Sequence, residues 1–256
     1  MDQSSQFLSE TDSSHILNQK QQLHHTMMAP PQIDIVETLF REAARINSSA
    51  VIEAARGNAA DASLIFRHAL EVISHINVEG QDTPAMEATR RSRNFSGLQL
   101  QLSSDDDGFC VYNMLLTFEQ AARPTSAMDL SVYSSAIIFN LGLIFHQHAV
   151  DIGSIKFYQA ADRMYEKCLN ILQAFPAFCD PDMDTLLLAA LNNRTHIGFK
   201  MGTFDSEDHS LTKMREISCM LLFSPDATMP RHVEASMVNE ILINSMLSGP
   251  GCAACA

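Results

Sequence analysis

Histidines are the first residues in this sequence whose type and spacing suggest chemistry. His146 and His148 stand one residue apart in FNLGLIFHQHAV, at the end of an apolar run, and His196 and His209 follow further along the chain. Imidazole nitrogens are common metal ligands. These four histidines, with nearby carboxylates, therefore make a metal-dependent enzyme, such as a hydrolase, one candidate function.

The helical context of His146 and His148 argues against a shared ion. Residues two apart on an α-helix point about 200° away from each other, since each step turns about 100°. The sequence also contains no H-E-x-x-H and no H-x-E…C-x-x-C pattern. We therefore expect a non-enzymatic protein, with no catalytic residue, no metal and no cofactor.

Other reactive residue types also lack the surroundings that their chemistry requires. Cys252 and Cys255 have the spacing of a redox motif, but they lie in a Gly/Ala-rich tail without a βαβ context. The aspartates at 105–107 lack the spacing and the glutamate of a calcium loop, and the run at 180–184 has Leu191 where that glutamate should be. They are more typical of a turn and of a helix N-terminus.

Serines beside charged runs leave a phosphorylation-regulated signalling adaptor as a further alternative. Ser92 lies within the basic run Arg90-Arg91-Ser92-Arg93, and Ser103 and Ser104 precede three aspartates. The polar stretch around Ser92 is nevertheless most typical of a flexible loop.

Composition limits the class of protein and the partners. Hydrophobic residues make up 46% of the chain, with 14 Met, four Tyr and no Trp, which suits packed helices. The 17 basic residues face 30 acidic ones, giving a net charge of −13. This balance disfavours nucleic acid and anionic membranes as partners.

Segments that direct a chain to a membrane or out of the cell are not expected. We expect no stretch that approaches the roughly 18 apolar residues of a membrane span, and the N-terminus lacks a basic region followed by an apolar one. We therefore expect a cytoplasmic or nuclear protein that is not secreted, with its six cysteines reduced.

Apolar residues at three- and four-residue spacing predict a mainly α fold with one helical domain over residues 33–248. Leu98, Leu100 and Leu102 alternate with polar residues before Asp107-Gly108, which predicts an inserted β-hairpin. The predicted segments are a disordered tail at 1–32, a helical hairpin at 33–77, a flexible loop at 78–95, the β-hairpin at 97–118, helical hairpins at 128–175 and 183–223, a capping helix at 230–248 and a disordered tail at 249–256.

Small and aromatic residues recur with a spacing that resembles the tetratricopeptide repeat, a helix-turn-helix unit of about 34 residues. The pattern comes in three pieces, one for each predicted helical hairpin. It is carried by Gly57, Ala62, Phe66, Ala69, Leu141, Gly142, Phe145, Ala161, Tyr165, Cys168, Gly202 and Phe204.

The resemblance covers about residues 33–76 and 130–223 and implies an α-solenoid fragment. The order of motifs also resembles a group of uncharacterised microalgal proteins with tetratricopeptide-like regions, which implies no activity. The distance from Gly142 to Ala161 exceeds that of a standard unit, so we expect an insertion in the turn of the second unit.

The resemblance implies a protein–protein interaction module or scaffold, in which the first helix of each unit lines a groove for a partner peptide or helix. Alignment at Gly142 puts Asn140 where chaperone-binding members contact the main chain or the carboxylate of a peptide. Asn193 takes the equivalent place in the next unit. The candidate groove residues are Asn140, His146, Gln147, Asn193, Phe199 and Lys200.

One alternative and one departure from the family pattern qualify this interpretation. A structural hydrogen bond to a neighbouring helix would explain Asn140 equally well. The carboxylate clamp of the chaperone-binding members needs two basic residues, where this chain has Ala189 and Asn193. We therefore expect the partner to be a protein with a neutral or basic segment.

Overall fold

The computed structural model describes residues 34–78, 93, 95–100, 109–176, 180–203, 209–223 and 233–247. The chain divides into Met1–Ile35, described only at its last two residues, and the unit Val36–Ala256, which contains the core. The described elements are α1 (Ile35–Ala55), α2 (Ala59–Ser74), β1 (Ser96–Gln99), β2 (Met114–Thr117), α3 (Ala127–Ile152), α4 (Ile155–Leu172), α5 (Pro181–Met201), α6 (His209–Phe223) and α7 (Ala235–Leu247).

The predicted mainly α fold is confirmed, and a small two-stranded sheet lies where the β-hairpin was expected. The finer arrangement into tetratricopeptide-like repeats stays a prediction. The predicted tails at 1–32 and 249–256 lie outside the described residues, as do Ser92, Ser103, Ser104 and Phe204.

Helix ends follow from local backbone chemistry. The Ser126 hydroxyl accepts a hydrogen bond from the Asp129 N–H at the start of α3, and the Asp180 carboxylate accepts one from the Met183 N–H at the start of α5. Gly153 and Gly202 end these two helices with φ of 66° and 65°, in the left-handed region where glycine is favoured. Pro181 occupies the first turn of α5, where its missing N–H costs no hydrogen bond.

The predicted insertion in the turn of the second unit is wrong. Only Gly153 and Ser154 separate α3 from α4. The extra residues belong to α3 itself, which is 26 residues long. Helix α3 continues three residues beyond Ala149, the expected end, because no residue before Gly153 breaks it.

Helix α3 is the centre of the core. It contacts α2, α4, α5 and β2, and each helix from α2 to α6 also packs against the next one along the chain. Residues Ala62, Phe66, Ala69, Ala161, Tyr165 and Cys168 are all fully buried. The predicted packing positions on α2 and α4 therefore lie inside the core.

Among the described helices, α3 is long and apolar enough, by length and composition alone, to cross a membrane. We expected no such stretch, and that expectation is wrong. Two thirds of its most apolar window is buried inside the fold, so its position as a core helix accounts for the composition. The absence of a membrane partner stays a prediction.

The strands β1 and β2 pair in antiparallel register, with Gly97 opposite Leu116 and Gln99 opposite Met114. A hydrogen bond from the Leu100 N–H to the Asn113 carbonyl shows which residues direct their main-chain groups toward the neighbouring strand. In antiparallel pairs, hydrogen-bonded residues alternate with residues whose main-chain groups point outward. The N–H and C=O groups of Leu116 therefore point away from β1, and those of Gly97 point away from β2.

Gly142 lies at a close contact between α3 and α4. A Cβ built on Gly142 would lie 3.0 Å from Cε1 of Tyr165 and 3.1 Å from Cβ of Met164. Tyr165 is fully buried and hydrogen-bonded, so its ring has little room to move. Only glycine fits this helix contact without displacement.

We expect Gly142→Leu to lower the free energy of unfolding by about 1–3 kcal/mol, because the larger side chain overpacks the contact between α3 and α4. Chemical denaturation measures the change. Ala60→Leu is the matched control, since Ala60 is exposed on α2 and alanine and leucine have similar helix propensities. Equal unfolding curves for Gly142→Leu and wild type would contradict the close contact.

Candidate functional site

An extended segment of the chain, residues 109–118, lies against buried asparagines from four helices. We call it the held segment, and it includes β2. The asparagines, here called the amide face, are Asn47 on α1, Asn140 on α3, Asn192 and Asn193 on α5, and Asn244 on α7. Their side-chain amides bind the main chain of three residues, Cys110, Tyr112 and Leu116.

Leu116 is bound by two amides. Oδ1 of Asn140 accepts a hydrogen bond from the Leu116 N–H at 2.8 Å, and Nδ2 of Asn140 donates to the Leu116 carbonyl at 2.8 Å. Nδ2 of Asn47 donates to the same carbonyl at 2.8 Å. The two amides are also joined directly, since Nδ2 of Asn140 donates to Oδ1 of Asn47 at 3.1 Å.

Tyr112 is bound in the same bidentate way by Asn193. The Tyr112 N–H donates to Oδ1 of Asn193 at 2.8 Å, and Nδ2 of Asn193 donates to the Tyr112 carbonyl at 2.8 Å. The second proton on Nδ2 is donated to the Tyr165 hydroxyl at 3.1 Å. Asn193 therefore ties the held segment to α4 as well as to α5.

Cys110 is bound at the other end of the held segment. Its N–H donates to Oδ1 of Asn244 at 3.3 Å, and its carbonyl accepts from Nδ2 of Asn244 at 2.8 Å and from Nδ2 of Asn192 at 2.9 Å. Its thiol donates to a carboxylate oxygen of Glu240. Burial, together with Glu240, raises the pKa of the Cys110 thiol to about 12, so this thiol stays protonated.

The geometry of a strand explains why the bound residues are 110, 112 and 116. Main-chain groups of every second residue point to the same edge of a strand. A side-chain amide offers one acceptor and a donor pair in one plane, so it can match the N–H and C=O of one residue. The amide face thus takes the place of a neighbouring strand along the edge of β2 that faces away from β1.

Burial makes these hydrogen bonds important for the fold. Asn140 and Asn193 are 0% exposed. An unpaired main-chain or amide group at this depth costs about 1–3 kcal/mol. The held segment and the amide face therefore provide hydrogen-bond partners for each other. Without one of them, the other would keep buried polar groups that have no partner.

A chain of hydrogen bonds continues from the amide face to the histidines. The Tyr165 hydroxyl lies 3.3 Å from Nδ1 of His146, and Nε2 of His146 lies 2.8 Å from Nδ1 of His196. Which atom donates in these two contacts depends on the tautomer of each imidazole ring. With the proton of His146 on Nε2, the Tyr165 hydroxyl donates to Nδ1 and His146 donates to His196.

His146 is fully buried and neutral. Burial first, and the neighbouring His196 second, hold the pKa of His146 well below its ordinary value of 6.5. His148 instead packs its ring against Phe157, with ring centroids 4.4 Å apart. Among the described residues, no three side chains of the His, Cys, Asp and Glu types are grouped as metal ligands, and the absence of a metal stays a prediction.

We expect the contribution of His146 to stability to fall by about 1.4 kcal/mol per pH unit as the pH drops below about 6.5. The unfolded state binds a proton at His146 there, whereas the folded state excludes it, and above this pH His146 is neutral in both states. Denaturation at several pH values measures the slope for wild type and for His146→Gln, which loses this contribution. Parallel curves for wild type and His146→Gln would contradict the assignment.

A buried arginine anchors the chain where it enters the hairpin. Arg93 is 6% exposed, and its guanidinium contacts the carboxylates of Asp180 and of Asp129, the latter at 2.8 Å. The Arg93 N–H donates to Oδ2 of Asp182 at 3.0 Å. Burial alone would lower the pKa of Arg93, but Asp180, Asp129 and Asp182 together raise it.

The carboxylates around Arg93 respond in opposite directions. Burial would raise the pKa of Asp129, but hydrogen bonds from Thr125 and the charge of Arg93 lower it overall. Burial raises the pKa of Asp182 in spite of the Arg93 N–H. The loop predicted at 78–95 therefore includes a fixed residue, and the sequence signal for it was the set of carboxylates in the first turns of α3 and α5.

The structure changes the description of the predicted groove residues. We expected Asn140, His146 and Asn193 to face an open groove, but they are fully buried, because the held segment and neighbouring rings cover them. The hydrogen bond to a neighbouring helix, the alternative for Asn140, is also present, as Asn47 shows. Their role toward a partner stays a prediction.

The other groove candidates lie nearer the surface. Gln147 and Lys200 are partly exposed, and Phe199 is 41% exposed, with its ring 5.9 Å from that of Phe109. Phe109 also packs on His196 at 5.2 Å. Phe109, the first residue of the held segment, therefore packs against both His196 and the exposed ring of Phe199 near the end of α5.

Three amides of the site were missed by sequence reasoning. Asn47, Asn192 and Asn244 each have polar neighbours in the sequence, so no distinct local signal marked them. Comparisons with protein-family models, with curated proteins and with solved structures gave no match.

Proposed function

We propose that the protein is a non-enzymatic protein–protein interaction scaffold that binds an extended peptide segment along the amide face. The observation that supports this proposal is the set of hydrogen bonds from side-chain amides to the main chain of Cys110, Tyr112 and Leu116. Bonds to the main chain fit any extended segment, while side-chain pockets add selectivity.

The order of the helices also supports the proposal. The amides come from α1, α3, α5 and α7, which are the first helices of successive units if the chain is built from tetratricopeptide-like repeats. Helix α3 contacts α5, and α5 contacts α7. A row of first helices is the surface that such repeats present to a peptide, so the two lines of reasoning support one binding face.

The held segment is the occupant in this structure, so a partner segment binds by replacing it. The held segment is covalently attached, and such a tether corresponds to an effective concentration in the millimolar range for a short flexible linker. A partner segment must therefore bind tightly or be delivered at high local concentration. We infer that the amide face is a regulated site rather than a constantly open one.

Peptide selection tests this proposal on the full chain. Short peptides are selected from a displayed random library, and the best binder is resynthesised with single N-methyl groups along its main chain. We expect binding, measured by fluorescence anisotropy, to weaken at every second position, because alternate N–H groups meet the amides. Hydrogen exchange at Cys110, Tyr112 and Leu116 is expected to speed up when the peptide binds.

Three results would contradict the proposal. In the first, no peptide binds, and in the second, binders leave exchange at Cys110, Tyr112 and Leu116 unchanged. In the third, N-methyl groups weaken binding without an alternating pattern, which would show that side chains, and not the amide face, recognise the peptide. A scrambled peptide of the same composition controls for non-specific binding.

A further inference from the structure

In the part of the chain that the structure describes, no strand pairs with the outer edge of β1. All four residues of β1 are exposed, and the N–H and C=O groups of Gly97 and Gln99 point away from β2. Within the described part of the chain, these main-chain groups have no hydrogen-bond partner. Unpaired edges of this kind are templates for a further strand.

A cavity of about 680 Å³ is lined by residues of both strands, within the size range of ligand-binding clefts. Gly97 and Gln99 of β1 and Met114 of β2 line one part of it and lie on the same face of the sheet. Glu234, which immediately precedes α7, and Met237 of α7 line the other part, together with Glu240. The cavity is therefore bordered by this face of the sheet and by the first turns of α7.

We propose that the edge of β1 binds an extended, basic segment of a partner protein by strand addition. The segment continues the sheet through hydrogen bonds to Gly97 and Gln99 and directs lysine or arginine side chains toward Glu234 and Glu240. This surface lies on the opposite edge of the sheet from the amide face. The proposal does not depend on exchange of the held segment.

Charge and shape select this occupant. The described residues that line the cavity include two glutamates and no lysine or arginine. One carboxylate oxygen of Glu240 accepts the Cys110 thiol proton, which leaves the other for a cation. Met114 and Met237 offer an apolar surface to the aliphatic stem of a basic side chain. A second copy of this chain, with a net charge of −13, is electrostatically disfavoured.

Three capped peptides test the proposal on the full chain. The first alternates valine and lysine, the second replaces lysine by glutamate, and the third carries N-methyl groups along the main chain of the first. We expect saturable binding of the first peptide alone, measured by fluorescence anisotropy and weakened by salt. We also expect slower hydrogen exchange at Gly97 and Gln99, with exchange at Tyr112 and Leu116 unchanged.

Substitutions distinguish the contribution of the strand edge from that of the two carboxylates. Gly97→Pro removes an outward N–H that β2 does not use, so binding is lost while the unfolding curve stays close to wild type. The double variant Glu234→Gln and Glu240→Gln weakens binding of the lysine peptide by about threefold to tenfold. Glu216→Gln, an exposed change of the same charge on α6, leaves binding unchanged.

Several outcomes would overturn the proposal. Absence of saturable binding, equal binding of the N-methylated peptide, or binding without slower exchange at Gly97 and Gln99 would each do so. Concentration-dependent dimers with slower exchange at these two residues would assign the edge to a second copy instead. A failure of the proposed amide-face function would appear at Tyr112 and Leu116, so the two results are distinguishable.

Discussion

Replacing Arg93 with alanine is expected to lower the free energy of unfolding by about 3–5 kcal/mol. Removal of the guanidinium leaves the carboxylates of Asp129, Asp180 and Asp182 close together without their shared cation. Breaking a buried ion pair from one side costs more than the pair contributes, because the remaining charges stay desolvated. Urea denaturation at neutral pH measures the change.

The pH dependence of this loss identifies its cause. Without Arg93, the pKa values of Asp129 and Asp182 rise in the folded state, because these partly buried carboxyl groups lose a neighbouring cation. The folded variant then binds more protons than folded wild type as the pH falls, so the difference in stability from wild type shrinks in acid.

An exposed pair provides the control for Arg93. Arg56→Ala removes an ion pair with Glu53 in which the arginine side chain is 65% exposed, and we expect a loss of at most about 1 kcal/mol. A difference between Arg93→Ala and wild type that is the same at every pH would mean that lost packing, and not the carboxylates, destabilises the variant.

Asn193→Ala is expected to cost about 2–4 kcal/mol, the second largest effect. The change leaves the N–H and C=O groups of Tyr112 without their amide and removes a donor to the Tyr165 hydroxyl. Denaturation measures the global loss. Hydrogen exchange at the Tyr112 N–H, which we expect to accelerate, measures the local one.

Asn58→Ala is the matched control for the amide. Asn58 is exposed, and its side chain bonds only locally, to Glu53, so we expect a change within about 0.5 kcal/mol. If Asn193→Ala and Asn58→Ala unfold at the same denaturant concentration, the amide of Asn193 contributes no more than a surface amide does. Faster exchange at Tyr112 in Asn193→Ala alone would show where the amide acts.

Local patterns explain how much of the fold was predictable. Apolar spacing identified all seven described helices to within a few residues at most ends, and the alternation near Leu98 identified the hairpin. The C-terminal extension of α3 was missed because helix continuation past Ala149 depends on the absence of a breaker rather than on apolar spacing. The first described residue of α7 is Ala235, five residues after the expected start.

The site was predictable only in part, because its contacts are between residues far apart in the sequence. The resemblance to the tetratricopeptide repeat singled out Asn140 and Asn193 as side chains that contact the main chain or the carboxylate of a peptide. It gave no information on which segment of the chain these side chains bind, since no local sequence pattern links Asn193 to Tyr112 or Asn244 to Cys110. The polar run around Arg93 predicts a loop, because no local pattern links this residue to the carboxylates at the starts of two later helices.

The order in which the ribosome delivers these residues adds a kinetic consequence. Tyr112 and its partner Asn193 are 81 residues apart, and Cys110 and Asn244 are 134 apart. The strand therefore leaves the ribosome well before α5 and α7 exist, and long sequence separation slows the formation of such contacts. During synthesis, the nascent chain presents an uncovered strand edge, and a chaperone that shields extended segments would protect it until α7 is complete.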